Sequence, residues 1–129
     1  MKVRLALYGA AVCLCLAPIV LAQDAVKVDP KHYTVVTDND QVRILKVHYG
    51  PHEKSVMHSH PDTVAVFFNG AKAHFTLPDG KTQDVDFKAN EAQYAAAGTH
   101  LPEAGDAAID GIVVELKCKA TAPAKAEKK

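Results

Sequence analysis

The histidines of this chain are the residues best suited to chemistry. Seven occur in 129 residues, and four of them lie between His48 and His60. One serine separates His58 from His60. Because alternate side chains of a strand point to the same face, both rings share a face if this segment is extended. Two neutral imidazoles on one face can bind one divalent ion, so the spacing predicts part of a metal site.

A third ligand must come from another part of the chain, and His100 is the best candidate. It closely follows Gly98, and we expect this glycine to make the turn that directs the ring inward. His52 and Glu103 are candidates for an additional ligand, because each lies close in sequence to a proposed ligand. Glu53 is a further alternative. The expected site is therefore a cluster of imidazoles to which one of these side chains could be added.

The remaining titratable and aromatic residues carry less specific signals. A single histidine in a sheet protein is usually a structural or surface residue, and we assign no role to His32 or His74. His48 fits a core residue and a site residue equally well. We expect packing rather than ligand binding from Tyr94. We expect Glu103 to be a solvated loop acid rather than a base.

Short strands are predicted to position these side chains. Apolar and polar residues alternate over much of residues 33–117, and segments 71–77 and 84–88 each have one apolar face. Val42–Tyr49 is apolar on both faces, as expected of a strand that is covered on both sides. Residues 90–97 are rich in alanine, which favours a helix. Because a glycine ends this segment early and strands surround it, we predict strand and turn.

A closing strand is predicted near the end of the domain. We expect Ile112, Val114 and Leu116 to be its buried face, with Glu115 and Lys117 pointing outward.

Turn residues divide these strands at short intervals. Asn69-Gly70 and Asp79-Gly80 can supply the positive φ angles of two-residue hairpins, and Asp-Asn-Asp at 38–40 provides a third turn. Many short strands with such spacing predict an all-β sandwich or barrel.

Several of these residues together resemble the motifs of a known family. The two conserved motifs of the cupin superfamily are similar to Gly50, His58-Ser59-His60 and Gly70, followed by Gly98 and His100. The resemblance covers residues 42–116. It implies an all-β double-stranded β-helix, a cupin or jelly-roll-like barrel, with a metal usually held by three histidines and one glutamate. By position, it implies that His58 and His60 are ligands from the first motif and His100 is the ligand from the second.

The sequence departs from the family pattern at the glutamate. The positions expected for it are Val64 and Ala65, which cannot bind a metal. In the second motif Asn90 replaces the opening glycine, and asparagine accepts the same left-handed backbone. A site of three neutral imidazoles would keep open coordination positions and favour Zn, Fe, Cu or Ni over Mg or Ca. Mn is also kept as a candidate cofactor.

The implied function is binding of a divalent transition metal and of a small molecule in the barrel cavity. If the protein is an enzyme, we expect a metal-dependent dioxygenase, isomerase, lyase or hydrolase. The alternative is a non-catalytic binding or sensing module with a degenerate metal site. A third hypothesis is a barrel with decayed motifs that acts only as a scaffold.

The first 22 residues are typical of a secretory signal peptide, with two basic residues, an apolar run and a small residue at Ala22. We predict cleavage after Ala22 rather than retention as a membrane anchor. The protein is therefore expected in the periplasm or outside the cell, without stable membrane insertion. Residues 23–29 would form a lead-in, 30–117 the barrel and 118–129 a disordered basic tail.

Composition limits the partners and the means of stabilisation. The chain has 15 basic and 15 acidic residues, so it lacks the positive field that nucleic-acid binding usually needs. After cleavage Cys118 would be the only cysteine, which excludes an internal disulfide. A small barrel without a disulfide gains stability from association, and we therefore expect a homodimer.

Overall fold

The computed structural model describes residues 23–117. The predicted signal segment 1–22 and the predicted tail 118–129, with Cys118, lie outside the described residues. Within this range a short helix, α1 (Ala25–Val28), precedes nine strands. The strands are β1 (Tyr33–Asp38), β2 (Val42–Tyr49), β3 (His58–His60), β4 (Thr63–Phe67), β5 (Ala71–Thr76), β6 (Thr82–Phe87), β7 (Ala92–Ala95), β8 (Gly98–Ala104) and β9 (Ile109–Leu116). Between residues 23 and 117, no helix has the length and apolar character needed to cross a membrane.

The strands form two sheets in which neighbouring strands are antiparallel. The larger sheet has the order β1-β2-β9-β4-β7, and the smaller has the order β3-β8-β5-β6. From β3 onward the chain passes repeatedly from one sheet to the other. Strands that are distant in sequence, such as β2 and β9, therefore become neighbours. The prediction of an all-β architecture is confirmed.

The core lies between the two sheets. Leu45, Val47 and Tyr49 point inward from β2, because alternate residues of a strand share a face. The rings of Phe67 on β4 and Phe87 on β6 have centroids 4.0 Å apart and join the larger sheet to the smaller one. Burial of such side chains is the main favourable contribution to the stability of a barrel.

Strand β2 is covered on one face only, so the expectation of two covered faces is wrong. Its inward residues are buried, whereas Lys46 and His48 are exposed. The alternation is hidden because Val42 and Ile44, which share the outward face with Lys46, are also apolar.

The predicted orientation of β9 is also wrong. Ile109, Gly111, Val113 and Glu115 form the buried face, and the intervening residues are only half-buried. Gly111 leaves room for the Phe67 ring, since a Cβ at this position would lie 2.7 Å from Phe67 Cδ1. Glu115 can face inward because partners inside the barrel compensate its charge. The alternation of inward and outward residues along β9 was predicted correctly, but the set of residues that points inward was not.

Two of the three predicted turns connect paired strands. The turn at 38–40 joins β1 to β2, with the Asn39 side chain accepting hydrogen bonds from the N–H groups of Gln41 and Val42. Gly80, with φ of +81°, lies in the β5–β6 connection, which is longer than the two residues expected. The Asn69-Gly70 hairpin is wrong: this segment carries the chain from β4 in one sheet to β5 in the other.

The alanine-rich segment forms strand β7, as predicted. Tertiary pairing with β4 outweighs its helix propensity here. Just before it, Asn90 has φ of +60°, which is the left-handed conformation expected for this position.

Candidate metal centre

His58, His60 and His100 lie together inside the barrel. Strand β3 supplies the first two, and it pairs with β8 so that His58 lies directly opposite His100. The centroid of the His58 ring is 4.9 Å from that of His60 and 5.0 Å from that of His100. One nitrogen from each ring lies within 4.8 Å of the other two. The structure thus brings together the three histidines that the sequence singled out.

The hydrogen bonds of two of these rings fix the positions of their protons. Nδ1 of His58 lies 2.8 Å from the carbonyl oxygen of Val56, which can only accept, so Nδ1 carries the proton. Nδ1 of His60 likewise donates to a carboxylate oxygen of Glu115 at 2.7 Å. The Nε2 atoms of both rings therefore carry lone pairs. Nε2 of His58 and Nε2 of His100 are buried without a hydrogen-bond partner, as expected of atoms that bind an ion.

The surroundings keep two of these rings neutral. Burial, together with a smaller contribution from the neighbouring His60, lowers the pKa of His58 to about 4. Burial also lowers the pKa of His100 to about 3. A neutral imidazole is the form that binds a metal, so near neutral pH these two rings need no deprotonation before they can act as ligands.

Glu115 supports the cluster from strand β9. Only 2% of its surface is exposed. One carboxylate oxygen accepts from His60, and the other accepts from Nε of Arg43 at 2.5 Å. The other two nitrogens of Arg43 donate to Asp24 at 2.7 and 3.0 Å. Burial acts to raise the pKa of Glu115, but the hydrogen bonds from His60 and Arg43 outweigh it and lower the pKa below its usual value.

A second set of polar groups lies behind His58. The Ser55 hydroxyl donates to Asp29 and lies 3.2 Å from His58 Nδ1. Asp29 also accepts from Nδ1 of His32, whose ring stacks on Tyr49 with centroids 4.1 Å apart. His32 is thus a buried structural residue that helps to fix the support of the cluster. No local pattern in the sequence predicts this network.

The additional ligand candidates are not part of the cluster. His52 is exposed, and its Nε2 lies 3.3 Å from a carboxylate oxygen of Asp106. Glu103 lies 3.3 Å from the Lys54 ammonium. Glu53 accepts a hydrogen bond from the Gly50 N–H at 2.8 Å and lies outside the cluster as well.

The other histidines and Tyr94 are placed as follows. His48 is exposed on β2, and its Nδ1 lies 2.7 Å from a carboxylate oxygen of Asp110. His74 is exposed on β5 and pairs with Asp84 at the same distance. Tyr94 is largely exposed, and it lines the opening of the cavity described next.

A cavity of about 370 Å³ adjoins the cluster. His60, His100 and Tyr33 line it on one side, and Phe67, Phe75 and Phe87 contribute aromatic wall. Centroids of the Phe75 and His100 rings lie 4.5 Å apart, so this wall begins at the histidines. The site therefore combines a group of nitrogen donors with an apolar space beside it.

No family model matches the sequence, and no curated protein matches it either. Solved structures do. A cupin domain from Bordetella pertussis Tohama I matches with a TM-score of 0.60 and 19% identity, over 67% of this chain and 92% of that chain. A double-stranded β-helix protein from Klebsiella pneumoniae matches with a TM-score of 0.52 and 18% identity, over 66% and 70%. A cupin superfamily protein from Desulfitobacterium hafniense matches with a TM-score of 0.51 and 17% identity, over 67% and 76%.

The protein thus has the double-stranded β-helix fold of the cupin superfamily. Within this fold the cluster of His58, His60 and His100 is compatible with metal binding. The two positions at which the cupin resemblance expects a glutamate are occupied by Val64 and Ala65, which pair with Val114 and Val113 of β9. Glu115 lies on the same strand as Val113, two residues away, and approaches the cluster through His60. In the sequence, the signal for Glu115 is a polar residue within the buried face of β9. This signal can be recognised only if the residues of β9 that point inward are predicted correctly.

Proposed function

We propose that the protein binds one divalent transition metal ion through the Nε2 atoms of His58, His60 and His100. The observation that carries this proposal is the convergence of three ring nitrogens within 4.8 Å of one another. The buried Nε2 atoms that have no hydrogen-bond partner support it further. Zn, Fe, Cu, Ni and Mn are the candidate ions, with imidazole ligands favouring the first four.

The chain's own contribution is to hold the three rings in place. The Val56 carbonyl and the Glu115 carboxylate fix the Nδ1 protons of His58 and His60, which leaves the Nε2 lone pairs free for a ligand role. An ion bound by three protein ligands keeps open positions and can polarise a carbonyl group or activate water.

We further propose that a small molecule occupies the adjacent cavity. Its volume of about 370 Å³ lies within the usual range for small-molecule sites, about 300–1,000 Å³. His60 and His100 line this cavity, so a molecule inside it would reach the open positions of the ion.

Metal content tests the proposal directly. We expect purified protein to hold about one equivalent of a transition metal by elemental analysis. The double variant His58→Ala/His60→Ala should lose the metal and melt at a lower temperature, since a metal that binds only the folded state stabilises it. The matched control is His48→Ala/His74→Ala, which removes two exposed histidines and should keep the metal. Protein that takes up none of the five metals at micromolar concentration would overturn the proposal.

A non-catalytic binding or sensing module is the second candidate. In the part of the chain that the structure describes, the cavity lining has no carboxylate, lysine or arginine, so only tyrosine and histidine could transfer protons. Saturable binding of a small molecule without turnover supports this candidate. Metal-dependent turnover that disappears in His58→Ala supports an enzyme.

We also propose export to the periplasm or the cell exterior, with removal of residues 1–22. The support for this is the sequence of the segment itself. Mass spectrometry of protein from fractionated cells should find Gln23 at the N-terminus in the exported fraction. An intact Met1 in the membrane fraction would contradict this and indicate a retained anchor.

A further inference from the structure

We infer that the cavity takes a small apolar molecule with one anionic oxygen donor and no second charge. This inference rests on the proposed function, because the donor is expected to meet the metal. The expected size is about a dozen non-hydrogen atoms, since a water molecule occupies about 30 Å³ of liquid and the cavity measures about 370 Å³.

The first argument is the charge of the walls. None of the described residues that line the cavity is Asp, Glu, Lys or Arg. Its polar lining consists of uncharged groups, such as Gln83, Gln93 and Thr99, and the two histidines. A charged group that leaves water without a partner pays a large desolvation penalty. Away from the histidines, a charged part of the ligand would therefore be strongly disfavoured.

The second argument is the shape of the apolar wall. Phe75 contacts His100, with ring centroids 4.5 Å apart, and its ring lies 6.3 Å from that of Phe87. Phe87 in turn packs on Phe67 at 4.0 Å. The wall thus runs from the nitrogen donors deep into the barrel. It fits a hydrocarbon or aromatic body whose polar end remains at the histidines.

The third argument is the charge at the donor end. Three neutral imidazoles do not compensate the two positive charges of a divalent ion. The nearby Glu115 carboxylate is already paired with Arg43 and His60. An anionic oxygen of the ligand, as in a carboxylate or a phenolate, is therefore attracted to this end.

Matched probes test this inference on the full chain loaded with Co(II), whose visible spectrum reports its coordination. The probes are 3-phenylpropanoate, its derivative with a second carboxylate at the para position of the ring, and 3-phenylpropan-1-ol. We expect 3-phenylpropanoate to change the spectrum and to bind at least about tenfold tighter than either other probe in calorimetry. Equal or tighter binding of the dicarboxylate would overturn the inference.

Two lysine substitutions test the role of the uncharged walls. Val85→Lys places a cation on the half-buried lining, and Gln83→Lys places one at an exposed lining position, where folding is not at risk. The preference for the monocarboxylate should fall at least about tenfold in Val85→Lys, because the second carboxylate gains a partner, and by a smaller factor in Gln83→Lys, where the pair is exposed. The control is Thr82→Lys, on the same strand but outside the lining, which should keep the wild-type preference. An unchanged preference in Gln83→Lys would overturn the inference.

Failure of the two proposals is distinguishable. Failure to take up Co(II) or any of the five candidate metals overturns the proposed metal site, and this inference with it. Normal Co(II) uptake without discrimination between the probes overturns the ligand class alone.

Discussion

Glu115 is the residue on which the orientation of His60 depends. Its carboxylate is shared between His60 and Arg43 in a buried position. A carboxylate that accepts from the distal nitrogen of a metal-binding histidine fixes the ring and increases its basicity. The loss of such a partner typically costs about 10–100-fold in metal affinity.

We therefore expect Glu115→Gln to weaken metal binding by about 10–100-fold. The measurement is a competition titration with a chromophoric chelator, at a temperature where both proteins are folded. Glu91→Gln, at an exposed glutamate, is the matched control and should bind as the wild type does. An affinity for the metal that is unchanged in Glu115→Gln would show that His60 needs no carboxylate partner.

The buried histidines also predict how the metal-free protein responds to acid. The folded state lowers the pKa of His58 to about 4 and that of His100 to about 3, mainly through burial. The unfolded chain binds these protons near pH 6.5. Between pH 6.5 and 4.5 the unfolded state therefore holds more protons, and the stability of the folded state falls as the pH falls.

We expect the chelator-treated protein to lose roughly 2 kcal/mol of unfolding free energy per buried ring over this pH interval. Denaturant titrations at several pH values measure it. His100→Leu removes one of the two rings and should show a shallower dependence on pH. The same slope in both proteins would mean that His100 does not contribute to the acid response.

At the level of the strands, the histidine cluster could be predicted from sequence, but its support could not. His58 and His60 lie on one strand at a spacing that alone places both rings on one face. The inward orientation of Glu115 depends instead on the phase of β9, that is, on which of its alternate residues point inward. Strand β9 pairs with both β2 and β4. This phase is set by packing across the barrel, above all by Gly111 against Phe67, and no local pattern contains it. The connection at Asn69-Gly70 could not be predicted locally either. It leads from one sheet to the other because β4 and β5 pair with different strands far along the chain.

Gly111 gives a direct test of that packing. A Cβ at this position would lie 2.7 Å from Phe67 Cδ1 and 2.7 Å from the backbone oxygen of Val66. We expect Gly111→Ala to destabilise the protein by about 1–3 kcal/mol, because the Val66 oxygen cannot yield without moving β4 and the Phe67 ring is packed against Phe87. Gly70→Ala is the control, since its Cβ would meet nothing closer than 3.6 Å. Equal unfolding free energies for the two variants would contradict this account.

At the level of the whole molecule, strand β1 is an edge of the larger sheet with apolar residues in solvent. Val36 is 59% exposed and Val35 is 41% exposed. An uncovered edge strand is a template for pairing with another chain. From these exposed valines we propose that the expected homodimer associates along β1.

We expect Val36→Lys to shift the protein from dimer to monomer, because a charge on the edge disfavours a buried contact. Light scattering coupled to size-exclusion chromatography measures the mass in solution. Thr82→Lys, on the β6 edge of the smaller sheet, should leave the mass unchanged. A wild-type protein that is monomeric at high concentration would rule out the dimer.

The support of the candidate metal centre extends to the first residues that the structure describes. The N–H of Ser59, between the two histidines, donates to the Gln23 carbonyl at 2.7 Å. Asp24 accepts a hydrogen bond from the Arg43 guanidinium, which also donates to Glu115. An aminopeptidase that trimmed the chain past Asp24 would therefore loosen both β3 and His60 while leaving each histidine in the sequence. Maturation of the N-terminus would then set the metal affinity of a site that lies more than thirty residues downstream.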